Sequence, residues 1–127
     1  MPQILIVEDD PALRNLYDTI FKRDGFEVLT ARDGAEGLEV ALLEIPDFIL
    51  LDMMLPKMTG MEVFEKLLAD PIGKGIPVIF LSNDTDPAER EKALKLGAKD
   101  YIAKAKQPPE EIVKRVKKDL GMVGTQY

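Results

Sequence analysis

The chain has 127 residues, with 17 Lys and Arg against 23 Asp and Glu, a net charge of -6, and neither cysteine nor histidine. One domain accommodates that length, and the acid excess argues against a nucleic-acid surface and for a soluble protein whose partner is basic. The missing residue types exclude disulfides, thiolate nucleophiles, imidazole acid–base catalysis and Cys or His metal sites, leaving oxygen-bound hard cations such as magnesium, manganese or calcium.

Met1-Pro2-Gln3 enters an apolar run of four residues without a basic region, which is neither a signal peptide nor a membrane span. A cytoplasmic protein is expected. The first strand, about Gln3 to Val7, passes through Glu8-Asp9 into a helix with Asp10 as N-cap and Pro11 at its first position. Leu13, Leu16, Tyr17, Ile20 and Phe21 form its apolar face, and Gly25 stops it. A second strand near Glu27 to Ala31 has polar flanks, as an edge strand does. Asp33 and Glu36 have capping-box spacing before a helix from Ala35 to Leu43, with Leu38, Ala41 and Leu42 on one side.

Phe48-Ile49-Leu50-Leu51-Asp52 then reads as a strand buried on both faces that ends in a carboxylate. Thr59 and Glu62 repeat the capping-box spacing, opening a helix with Val63, Phe64, Leu67 and Leu68 inward that ends at Asp70-Pro71. A loop from Ile72 to Ile76 leads to a fourth strand, Pro77 to Leu81, closed by Ser82. Asp86-Pro87 starts a helix carrying Ala93, Leu94 and Leu96, stopped by Gly97. The short fifth strand ends at Ala103-Lys104, and Pro108-Pro109 opens a last helix with Ile112, Val113, Val116 and Leu120 inward. One domain over 1–121 is expected, with 122–127 a tail or linker remnant that frays from Gly121.

Five strands alternating with five helices imply a parallel sheet in a three-layer α/β fold, with ligands beyond the carboxyl ends of the strands. Glu8, Asp9, Asp52, Ser82 and Lys104 all belong to that edge. Three close carboxylates raise one another's pKa unless a cation neutralises them, and magnesium does this while leaving positions for phosphate oxygens. Lys104 adds positive charge and Ser82 a hydroxyl. Together they make a phosphoryl site in which a carboxylate attacks in line, and phosphorylation of an aspartate is the reaction this inventory fits. Taken singly, each residue has a plainer role: helix cap for the acids, turn former for Ser82, solvated surface for Lys104.

Ile4-Leu5-Ile6-Val7-Glu8-Asp9-Asp10, Asp52-Met53-Met54-Leu55-Pro56 with Gly60, Pro77-Val78-Ile79-Phe80-Leu81-Ser82 and Gly97-Ala98-Lys99-Asp100-Tyr101-Ile102-Ala103-Lys104 occur in that order and spacing. In these stretches the chain closely resembles the receiver domain of bacterial two-component response regulators. The resemblance implies a doubly wound (βα)5 flavodoxin-like fold with sheet order 2-1-3-4-5. It implies Asp52 as phosphoacceptor, with magnesium, or manganese, on Asp9, Asp52 and the Met54 backbone carbonyl and with Glu8 acting through water. It makes Ser82 and Lys104 the phosphoryl-binding pair and Tyr101 the switch aromatic coupled to Ser82. A half-buried strand aromatic is the plainer reading of Tyr101.

The implied function is a phosphorylation-dependent signalling switch rather than a turnover enzyme. Its phosphoryl donor is a histidine kinase or histidine phosphotransfer protein and its output a downstream protein, from a monomer or weak dimer without direct nucleic-acid or membrane binding. The rival readings are a degenerate receiver serving only as an interaction module and a small aspartate-nucleophile phosphatase. The latter lacks a second acid soon after Asp52, where Met53-Met54-Leu55 stands, and length for a cap. A flavin-binding module of this fold lacks its Ser/Thr-rich loop. The chain departs from the family at Glu8 (usually Asp), Ser82 (usually Thr), Asn83 (usually small) and Ala105 (usually a cis proline). At Ala105 a trans bond is expected, because cis costs about 3–4 kcal/mol without proline.

Overall fold

The computed structural model describes residues 1–83 and 86–122. Five strands, β1 (Gln3–Val7), β2 (Glu27–Ala31), β3 (Phe48–Asp52), β4 (Val78–Ser82) and β5 (Asp100–Ala103), alternate with α1 (Pro11–Arg23), α2 (Gly34–Glu44), α3 (Gly60–Leu68), α4 (Pro87–Lys95) and α5 (Pro109–Asp119). All strand pairs are parallel, in the order β2-β1-β3-β4-β5. This is the expected flavodoxin-like arrangement, with β2 at an edge.

Alternating strand residues separate two cores. Leu5, Val7, Ile49, Leu51, Val78, Phe80 and Tyr101 face the layer that holds Ala41, Val63, Phe64, Leu67 and Ala93 of α2, α3 and α4. Ile4, Ile6, Phe48, Leu50, Ile79, Leu81 and Ile102 face Tyr17, Ile20 and Phe21 of α1 and Ile112, Val113 and Val116 of α5. Because both faces are covered, the central strands read as continuous apolar runs instead of alternating ones.

Local chemistry places the helix starts. Asp10 Oδ1 accepts from Ala12 N at 3.0 Å, and Thr59 and Glu62 form a reciprocal capping box. The box expected at Asp33 is only half made: Asp33 accepts from Glu36 N, but Glu36 turns to Arg32 N. Gly25 follows α1 at φ 91°, in the left-handed region that favours glycine.

Several details differ from the pattern expected. Leu16 is 43% exposed, at the margin of the stripe formed by Leu13, Tyr17, Ile20 and Phe21. In α4 only Ala93 is buried, and Leu96 falls at the C-cap and stays 38% exposed. The segment expected as a loop after α3 holds a 3-10 turn, Gly73–Gly75, and Asp70 Oδ1 caps its approach by accepting from Ile72 N and Gly73 N. Met122 is held, not frayed: its N–H donates to Lys117 O at 2.8 Å and its side chain packs against the α1/α5 core. The rest of the expected tail, 123–127, lies outside the described residues.

Candidate functional site

Strand register assembles the site. Val7 pairs with Leu51, so Glu8 follows beside Asp52; Asp52 pairs with Leu81 and Ser82 with Ala103, so Ser82 and Lys104 follow at the same edge. Side-chain parity then divides them. Asp52 and Lys104 share the side of Leu50 and Ile102, toward α1 and α5, whereas Ser82 shares the side of Phe80 and Tyr101, toward α4.

The first group is charged and closed. Lys104 Nζ donates to Glu8 Oε1 at 2.8 Å and to Asp52 Oδ2 at 2.9 Å, and Glu8 and Asp52 are 1% and 2% exposed. The remaining oxygens are also used: Glu8 Oε2 accepts from Asp10 N at 3.1 Å and Asp52 Oδ1 from Met54 N at 3.2 Å. Thus the extra methylene of Glu8 folds its carboxylate back into the protein. Burial pushes the Glu8 pKa up; the Lys104 hydrogen bond opposes this, and the Asp52 charge adds to it. For Lys104, burial acts against the ammonium, but bonds to Glu8 and Asp52 more than compensate and its pKa is raised, so it is charged at neutral pH. Tyr17 lies under this group, and burial pushes its phenol up to about 12.

Asp9 stays exposed at the mouth. Glu8, Asp9 and Asp52 each present a carboxylate oxygen within 4.8 Å of the others. Three carboxylates against the Lys104 ammonium leave two negative charges on an all-oxygen donor set, which suits a divalent hard cation. Two backbone devices hold this mouth. Arg14 of α1 donates to the Glu8 carbonyl at 2.9 Å and more distantly to that of Asp9, a contact sequence reasoning missed because nothing in its spacing distinguishes it from a surface arginine. Gly60 donates its N–H to Met53 O at 3.0 Å, and a Cβ there would stand 2.3 Å from the Asp52 carbonyl oxygen, so only glycine lets α3 start so close to β3.

The second group is built from hydroxyls. Tyr101 is buried, its ring centroid is 6.5 Å from that of Phe80, and its hydroxyl meets Ser82 Oγ at 3.1 Å and the Glu89 carboxylate of α4. Burial, and next the Glu89 contact, push its pKa up to about 12. Met53, Met54, Ser82, Asn83, Asp86, Glu89 and Tyr101 line an open cavity of ≈ 270 Å³ beside it. Asn83 and Met54 are exposed at its rim. Every peptide bond among the described residues is trans, including Lys104-Ala105, as expected, and Lys104 N donates to Ser82 O at 2.8 Å.

This geometry coincides with a sequence profile described as "Response regulator receiver domain", which matches residues 4–117. The chain belongs to that family. Among curated relatives of this receiver, the DNA-binding response regulator MtrA of Mycolicibacterium smegmatis is 36% identical over 118 residues, 93% of this chain and 50% of that protein. The probable transcriptional regulator ycf27 of Cyanophora paradoxa is 39% identical over 108 residues, 85% of this chain and 44% of that protein. The receiver therefore spans about half the length of these relatives. Similar solved structures include a CheY-like response regulator receiver domain protein from Methanospirillum hungatei (TM-score 0.87, 30% identity, 95% of this chain and 94% of that one). The chemotaxis protein CheY4 of Vibrio cholerae is another (TM-score 0.85, 29% identity, 93% and 98%). The receiver is thus a signalling domain of two-component response regulators, not a turnover enzyme of ordinary kind. No helix among the described residues is long and apolar enough to cross a membrane.

Proposed function

We propose that the protein is a magnesium-dependent switch that accepts a phosphoryl group on Asp52. The observation that carries this reading is the Lys104 ammonium bridging Glu8 and Asp52 at a buried strand end, with Asp9 completing the acidic cluster. A carboxylate oxygen of Asp52 attacks phosphorus while the phosphorus–nitrogen bond of a phosphohistidine breaks, and the electron pair leaves on the imidazole nitrogen. These 127 residues contain no histidine, so the donor histidine lies outside them, in a histidine kinase or histidine phosphotransfer protein. Asp9, Asp52 and the Met54 carbonyl would hold magnesium, with Glu8 acting through water; the folded-back Glu8 carboxylate supports that indirect role. The ion would offset the charge of the carboxylates and the incoming phosphoryl oxygens.

Lys104 transfers a hydrogen bond from the Asp52 carboxylate to a phosphoryl oxygen, and Ser82 donates to another. Tyr101, in contact with Ser82, carries the change toward α4 and thus to a downstream protein. DNA binding is named for MtrA, a protein about twice this length; for this chain the proposal is a cytoplasmic receiver that acts through protein contacts. The test is intact mass after incubation with magnesium and acetyl phosphate, with Asp52→Asn alongside. Gain of one phosphoryl group by the native chain alone supports the reading. Absence of modification, with no magnesium binding, leaves an interaction module; continuous phosphate release without accumulation, and no stable beryllofluoride complex, leaves a phosphatase.

A further inference from the structure

Four helices of this protein carry a glutamate at their third position: Glu36 of α2 and Glu62 of α3 serve their own helix start, and Glu111 of α5 pairs with Lys114 along its own helix. Glu36 accepts from Arg32 N at 2.7 Å, and Glu62 accepts from Thr59 N at 3.0 Å. Glu89 occupies the same position in α4, where Asp86 caps Ala88 N at 3.1 Å and Glu89 N at 3.3 Å, but its carboxylate reaches across to the Tyr101 hydroxyl. A local helix-start contact has been exchanged for one between elements. That contact ties the first turn of α4 to a buried ring on β5, although α4 buries little besides Ala93.

The phenol has one proton and two oxygen neighbours. A carboxylate is the stronger acceptor, because a charge-assisted hydrogen bond is roughly twice as strong as a neutral one. Tyr101 therefore donates to Glu89, and its oxygen is left as acceptor at the Ser82 contact.

We propose that Glu89 is a positioning residue that holds Tyr101 inward against Ser82 before any phosphoryl group arrives, by taking the phenol proton and leaving the Tyr101 oxygen to accept from Ser82. The inward setting of the ring is then made by α4. The consequence for signalling rests on Asp52 being the phosphoacceptor. When Ser82 turns its hydroxyl to a phosphoryl oxygen, the Tyr101 oxygen loses that donor, Glu89 alone sets the ring, and the change at Ser82 reaches the first turn of α4 through Tyr101.

The test uses the full chain labelled with ¹³C at the tyrosine ring, with the Tyr101 resonance assigned by its loss in Tyr101→Phe. In the unphosphorylated protein Glu89→Ala is expected to shift the Tyr101 ring signal away from its buried position, while Glu89→Gln, which keeps an acceptor oxygen, restores it. An unchanged signal in Glu89→Ala, with helix content intact by circular dichroism, overturns the proposal, as does Glu89→Gln behaving like Glu89→Ala. This arm needs no phosphorylation, so it stands or falls separately from Asp52. In the second arm, magnesium and beryllofluoride are added: altered amide exchange at Ala88 and Glu89 in the native chain, absent in Glu89→Ala, supports the relay through Tyr101. Equal responses in both chains overturn it.

Discussion

The two halves of the functional edge are made from the same kind of strand ends and are held in opposite ways. On the α1/α5 side, Glu8, Asp52 and Lys104 are ionic, buried and mutually satisfied, and Gly60 locks α3 against the backbone of Asp52. On the α4 side, Ser82, Tyr101 and Glu89 are joined by hydroxyl contacts to a helix with one fully buried side chain. Chemistry that must be aimed needs the first kind of support, and a conformational readout needs the second. The difference arises from one residue of strand parity.

The strongest way to break the comparison is to remove Lys104. Lys104→Ala leaves the Glu8 and Asp52 carboxylates facing each other out of water, and loss of one partner of a buried ion pair costs about 3–5 kcal/mol. Urea unfolding without metal is expected to show a loss of that order, and magnesium to recover part of it. Tyr101→Phe, which removes the hydroxyl on the other side, is expected to cost about 0.5–1.5 kcal/mol, the net worth of an ordinary hydrogen bond. A comparable loss for both variants would erase the distinction between the halves. Between them falls Gly60→Ala. Its Cβ meets backbone atoms at 2.3 and 2.9 Å that cannot swing aside, so destabilisation at the upper end of the about 1–3 kcal/mol typical of overpacking is expected.

A gentler probe uses pH. The backbone N–H of Thr59, and then its side chain, hold the Glu62 carboxyl below its ordinary value of 4.5. A depressed folded pKa contributes stability that is full above the unfolded value and is lost as pH falls through the folded one. Glu62→Gln is therefore expected to flatten the loss of melting temperature just below pH 4.5. Smallest of all is Leu96→Ala, at an exposed C-cap, for which a change within about 0.5 kcal/mol is expected from urea unfolding.

Most of the fold was legible because its signals are local and redundant. Apolar runs mark the strands, Asp10, Asp33, Thr59 and Asp86 mark the starts of four helices, Gly25, Gly97 and Gly121 follow the ends of three, and the βα alternation permits few topologies. Glu8, Asp9, Asp52, Ser82 and Lys104 were legible for a related reason: each ends a strand or follows one within two residues, so parallel pairing alone brings them to one edge. What sequence did not disclose is sidedness and cross-chain bonding. Glu89 has the spacing of a capping residue and Arg14 that of a solvated face; only the packing of α4 beside β5 and of α1 beneath the β1 loop shows where their side chains go. Leu16 and Leu96 were misplaced because periodicity marks a stripe without showing how wide the facing surface is.

The central claim is that a phosphoryl group on Asp52 acts on α4 and leaves α3 still. Amide hydrogen exchange along Gly60–Leu68 and Pro87–Lys95, with and without magnesium and beryllofluoride, tests it most directly. The account predicts altered protection in α4, beginning at its first turn, with α3 unchanged. Equal changes in both helices, or a response confined to α3, would contradict it.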